Sequence, residues 1–195
     1  MEKLFFFGDS IAFGHMVSIH QIWTTLVSRT FESSYICNNP SKNGNTTKDA
    51  LGRMAHDLET HSPDVVIMQF GLNDANFWQT DQGMPRISAQ LYKANLIELV
   101  ARLRDVVKVK KIVLATNHLP VKQISHIPEN KYRDTVQFYN ELVRAVANEE
   151  SVRLVDHEKA WSSVDTTSFL LADGVHLSRE GHHFYFETIL DAGVL

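Results

Sequence analysis

Short apolar runs alternate along this chain with stretches whose apolar residues recur every three or four positions. The runs Leu4-Phe5-Phe6-Phe7, Asp64 to Phe70, Lys111 to Thr116 and Val152 to Asp156 have the length and composition of strands buried on both faces. Tyr35-Ile36-Cys37-Asn38 is a weaker run and second in chain order. Helical stretches are expected at Ile19 to Phe31 and Lys48 to Thr60. Another begins at Ser88, which can cap a helix whose stripe is Leu96, Leu99, Val100, Leu103 and Val107. Tyr132, Val136, Tyr139, Val143 and Val146 step by four and three, as a core-facing helix does, and a last helix is expected near Arg179 to Leu190. Ala75 to Ile87, which holds Trp78, Gly83 and Pro85, reads as a long loop. So does His157 to Leu177. The alternation implies an α/β fold with a five-stranded parallel sheet covered by helices on both faces. No repeat or linker interrupts it, so residues 1–195 read as a single domain. In such a sheet the strand C-termini share one edge, which is where open α/β sheets bind ligands.

Composition narrows the classes. Hydrophobic residues make up 44% and charged residues 22%, which excludes a disordered chain. The net charge of −4 gives no reason to expect nucleic acid or an anionic membrane as partner. Lys108, Lys110 and Lys111 are explained by a helix C-terminus or turn. The one cysteine, Cys37, forms no internal disulfide. The N-terminal apolar run spans four residues and is followed by Gly-Asp, unlike a signal peptide. No stretch approaches the ~18 apolar residues of a membrane span. A cytoplasmic location is expected. Asn45-Thr46-Thr47 fits a glycosylation pattern that means little without a secretion signal.

The loops that converge on the ligand edge carry chemistry. Gly8-Asp9-Ser10 follows the first strand, with Gly8 expected to allow the turn. Asn43-Gly44-Asn45 follows the second strand, Gly71-Leu72-Asn73-Asp74 the third, and Asp173-Gly174-Val175-His176 the fifth. Together they supply a hydroxyl, an imidazole, a carboxylate and amide donors, the parts of a serine hydrolase. A serine hydroxyl needs a base, imidazole titrates near neutrality, and a carboxylate holds the ring in one tautomer. Each part has a plain local alternative: Ser10 or Asp173 as helix caps, Gly71 and Asn73 as a turn. The sequence has no G-x-S-x-G elbow, P-loop or H-E-x-x-H, and its ten histidines show no metal spacing.

These blocks, in this order from residue 8 to residue 177, resemble the signature blocks of the SGNH, or GDSL-type, esterase and lipase family. The resemblance implies a flavodoxin-like three-layer sandwich and a reaction that needs neither metal nor organic cofactor. It implies Ser10 as nucleophile, His176 as general base and Asp173 as the acid that orients it. It also implies an oxyanion hole from the backbone N–H groups of Ser10 and Gly44 and the side chain of Asn73. Ile11 stands where the family often has Leu, and Asn45 where it often has Asp; neither position carries a catalytic role. Asp9 is expected to support the turn at Ser10. Around the substrate, Asp74 is expected to brace Asn73 or the pocket floor, Phe77 and Trp78 to wall the acyl or alcohol site or else pack in the core, and Asn117 and His118 to contact the substrate. The expected substrate is a small-molecule or glycan ester with a short acyl group such as acetyl; lysophospholipids, thioesters and acyl transfer fit the same triad. A reading of another class is a phosphate-binding module that uses the Gly8 to Gly14 turn without turnover. That module would have no need of Asp173 with His176.

Overall fold

β1 (Glu2–Gly8) and β3 (Val65–Gln69) lie at the centre of an all-parallel five-stranded sheet. The sheet is completed by β2 (Tyr35–Asn38), β4 (Lys111–Ala115) and β5 (Arg153–Val155), in the order β2-β1-β3-β4-β5. The computed structural model describes residues 1–81 and 83–195, with Asp81 by its backbone alone. Leu4 to Phe7 and Val65 to Met68 are almost completely buried, because a central strand covered on both faces has no polar side. Register pairs Leu4 with Val65 and Gly8 with Gln69, so the two central strands end at one level. β2 is an edge strand with Ile36 exposed, which is why its apolar run is weak.

The helices are α1 (Ser10–Phe13), α2 (Trp23–Thr30), α3 (Thr47–Met54), α4 (Ala89–Arg102), α5 (Lys131–Glu149), α6 (His157–Trp161) and α7 (Arg179–Asp191). The chain steps from β1 out to β2 and then back through β3, β4 and β5. Crossovers of one hand therefore put α2 on one face and α3, α4 and α5 on the other. The packing of α2 on α7, of α3 on α4 and of α4 on α5 follows that division. Sequence-local caps start the helices: Thr46 and Asp49 form a capping box for α3, and Ser88 and Ser178 cap α4 and α7.

Two expected segments differ. Ile19 to Phe31 is broken by an extended residue, Ile22, into a 3₁₀ turn (Ile19–Gln21) and α2. The segment read as loop from His157 begins with α6, capped by Asp156, whose carboxylate accepts from the Lys159 N–H at 3.2 Å. Five residues are too few for a 3.6-residue period to show. The loop Ala75 to Ile87 folds back on itself through a bridge between Phe77 and Pro85; Gln82 lies outside the described residues. Among the described residues no helix is long and apolar enough to cross a membrane.

Candidate active site

At the end of β1 there is no room for a side chain. A Cβ on Gly8 would stand 2.8 Å from both the Ala12 Cβ and the Gln69 carbonyl oxygen. Close packing, and not the turn conformation expected from sequence, is what selects glycine here. Asp9 caps α1, its Oδ1 accepting from the Ile11 N–H at 2.9 Å. Ser10 is therefore the first helical residue, and its hydroxyl is not spent as a cap. It lies 3.0 Å from Nε2 of His176, 166 residues further along. Nδ1 of His176 lies 2.5 Å from Oδ2 of Asp173. The other Asp173 oxygen accepts the backbone N–H groups of Val175 and His176, each at 2.9 Å. Burial raises the Asp173 pKa, but these bonds from His176 and Val175 outweigh it and hold the group down to about 2. An ionised Asp173 places the imidazole proton on Nδ1, which leaves the Nε2 lone pair facing Ser10.

Gly44 and Asn73 line the same cleft as this relay. Gly44 has φ +74, a backbone that side chains rarely adopt, and the space beside its Cα is open. The Asn73 amide donates to Oδ2 of Asp9 at 3.3 Å, which leaves its second N–H for a ligand. As the first residue of α1, Ser10 also has a backbone N–H with no partner inside the helix. Asp74 accepts from the Thr47 N–H at 2.9 Å and the Thr47 hydroxyl at 2.5 Å, so it ties Asn73 to the start of α3, just beyond Gly44. Both carboxylates are buried. Burial is the main cause that raises Asp9 to about 7, with the charge of Asp74 adding to it, and burial raises Asp74 to about 6.

Behind Asp173 and His176 sits a different set of groups. Nε2–H of His118 donates to the Val175 carbonyl at 2.7 Å. The Tyr185 hydroxyl lies 2.8 Å from His118 Nδ1 and accepts the His118 backbone N–H at 3.0 Å. His157 stacks on Tyr185 with ring centroids 3.7 Å apart, and His182 accepts the Trp23 N–H at 3.4 Å. Burial lowers His118 to about 4 and His157 and His182 to about 3, so all three are neutral imidazoles. Among the described residues no three His, Cys, Asp or Glu side chains are placed to hold a metal ion.

A cleft of ≈ 260 Å³ gathers Ser10, Gly44, Asn73, Trp78, Asp173 and His176. Asn117 and His118, expected to contact the substrate, are not in it, and Asp74 and Phe77 take the bracing and core alternatives. Asp74 and His118 are buried and hold backbone as described. Asn117 is fully buried; it donates to the Phe70 carbonyl at 2.9 Å, and its own backbone is bonded by Asn140. Phe77 is core. The first residues after a strand still lie inside the protein, so position at the right edge does not fix depth. The cleft adds His15, Asn43, Asn76, Lys122 and Tyr132. Tyr132 was legible only as core, and its hydroxyl donates to the Leu72 carbonyl at 3.0 Å. The one readable signal for His15 was Gly14, which ends α1 in a left-handed conformation and turns the chain back.

Residues 6–184 match the GDSL-like lipase/acylhydrolase family. The chain is 28% identical to an acetylxylan esterase of Geobacillus stearothermophilus, over 93% of this chain and 89% of that protein. It is 27% identical to an arylesterase of Vibrio mimicus, over 53% of this chain, and the match spans half the length (50%) of that relative. In fold it is similar to a lipase/acylhydrolase from Enterococcus faecalis, with a TM-score of 0.81 at 24% identity over 99% of this chain and 96% of that one.

Proposed function

This chain belongs to the GDSL-like lipase/acylhydrolase family, and we propose that it is a serine esterase in which Ser10, His176 and Asp173 act as nucleophile, general base and orienting acid. The observation that carries the reading is the relay itself: Ser10 Oγ, His176 Nε2, His176 Nδ1 and Asp173 Oδ2 stand in line at 3.0 and 2.5 Å on the floor of a cleft. Ser10 attacks the ester carbonyl as His176 takes its proton. The backbone N–H groups of Ser10 and Gly44 and the Asn73 amide hold the oxyanion. His176 returns the proton to the departing alcohol, and a second cycle with water releases the acid and frees Ser10.

A short acyl group on a polyhydroxylated alcohol, such as an acetylated carbohydrate, is the proposed substrate. The cleft is smaller than the ~300–1,000 Å³ of drug-sized pockets, and Asn43, Asn76, Lys122 and the half-exposed Trp78 offer polar groups and one aromatic face to the alcohol. The likeness to an acetylxylan esterase supports the same choice. Residues 1–195 form one catalytic domain in this reading, since the relay joins both ends of the chain across one sheet. The half-buried single Cys37 suits a reducing compartment, and the cytoplasm is the proposed location. The phosphate-binding reading is not favoured, because it gives Asp173 and His176 no task.

The test is intact-mass measurement after exposure to a fluorophosphonate. One adduct on the wild type and none on Ser10→Ala supports the nucleophile. Acetate release from acetylated xylo-oligosaccharides, set against release of long-chain acids from lysophospholipids, tests the substrate class. No adduct on folded wild-type protein would refute the reading.

A further inference from the structure

We propose that His15 is a positioning residue for acyl transfer, whose neutral imidazole braces the His176 ring and ties it to the loop that carries Gly44. The proposal rests on the assignment of Ser10, Asp173 and His176 made above. Gly14 ends α1 with φ +83, and the chain turns so that His15 lines the cleft. The His15 and His176 ring centroids are 4.5 Å apart, with the planes at 50°. Nδ1 of His15 lies 3.1 Å from Nδ2 of Asn43, the residue before Gly44. An amide nitrogen only donates, so Nδ1 of His15 accepts, and the proton of the neutral ring is on Nε2.

This geometry has a consequence for the reaction. His176 becomes an imidazolium each time it takes a proton from Ser10 or from water. A neutral ring beside it offers π-electron density to that cation. A protonated ring in the same place repels it, and its Nδ1 no longer accepts from Asn43. The charged and titratable groups that line the cleft with His15 are His176 and Asp173, from the turn before α7, Lys122, from the β4–α5 connection, and Tyr132, from α5. Asp173 is the one carboxylate among the described residues lining the cleft, and it is already bonded to His176. The brace therefore acts on acylation through the placement of the His176 ring.

The experiment follows the rate of Ser10 labelling by a fluorophosphonate, beside kcat and KM for p-nitrophenyl acetate, in the wild type, His15→Phe and His15→Ala. His15→Phe keeps an aromatic face beside His176, and its rate at pH 8 should stay within about 5-fold of wild type. His15→Ala should lose about 10-fold in kcat at pH 8 with KM little changed, as expected when a reacting group is less well held. A kcat loss in His15→Phe as large as in His15→Ala, a rise in KM with kcat intact, or an unchanged kcat in His15→Ala would each overturn the role of His15 while leaving the triad standing. Failure to label wild-type Ser10 at any pH would overturn the triad and this proposal with it.

Discussion

Asp9 and Asp74 lie beneath Ser10 and Asn73, while His118, His157, His182 and Tyr185 lie behind Asp173 and His176. Both sets are buried and polar, and they are of opposite kinds. The difference follows from what each side must hold. On the nucleophile side the groups to be fixed are donors: the Ile11 N–H, the Asn73 amide and the Thr47 N–H and hydroxyl. Carboxylates hold donors. On the acid–base side both senses occur: the Val175 carbonyl needs a donor, His118, while His182 and Tyr185 accept backbone N–H groups. A lysine there would add a permanent charge behind an imidazole that must itself become a cation, whereas a buried imidazole donates while staying neutral. A buried polar group is kept when its hydrogen-bonding sense matches the backbone it secures.

Breaking either reacting half should give the largest effect. Ser10→Ala and Asp173→Asn are each expected to lower kcat by ~10⁴-fold, the latter by loss of the correct His176 tautomer; steady-state assay of folded variants checks both. Asn73→Ala should cost ~10²–10³-fold in kcat, the effect of one oxyanion donor, and an unchanged kcat would remove Asn73 from the hole. The supports come next. His118→Phe fills the space without donating to Val175, and should lower kcat by ~10–10²-fold through displacement of His176. KM should move little, and His118→Gln, which keeps an N–H donor, should recover part of the loss. A rise in KM with kcat intact would instead return His118 to the substrate.

The smallest effect sharpens the comparison through pH. The three imidazoles have folded pKa values below the ordinary 6.5, so their stabilisation is complete above 6.5 and is lost as pH falls toward 4 and 3. Asp9 and Asp74 have folded values above the ordinary 3.8, so theirs is complete below 3.8 and is lost as pH rises through 6 and 7. Between about pH 4 and 6, unfolding takes up three protons on the histidines and releases two from the carboxylic acids, a net uptake of one. Stability should then fall by about 1.4 kcal/mol per pH unit on acidification. Asp9→Asn removes one opposing proton and should about double that slope in urea titrations at pH 4.5 to 6. An unaltered slope would show that Asp9 is ionised in the native protein.

The central strands and long helices were legible because burial on two faces and a 3.6-residue period leave marks over many residues. α6 was not, being carried by one cap at Asp156 over a single turn. Ser10, Gly44, Asn73, Asp173 and His176 meet in the cleft because parallel strands bring their following loops to one edge. Asn117 and His118 lie at that edge too, but beneath the surface, and depth depends on packing from α5 and α7 that no local pattern records. His15 was not legible as a site residue, because its approach to His176 depends on how one glycine redirects the chain.

The hydrogen bond between Ser10 and His176 spans 166 residues. Activity is therefore a report on chain completion. Ser10, Gly44 and Asn73 all come from the first three strand-loop units, and the base comes only from the segment after β5. Turnover should return during refolding with the last long-range contact to close, later than the helical signal. A simple ester assay would then time the final step of folding, and the unfinished chain would carry a nucleophile that nothing has yet switched on.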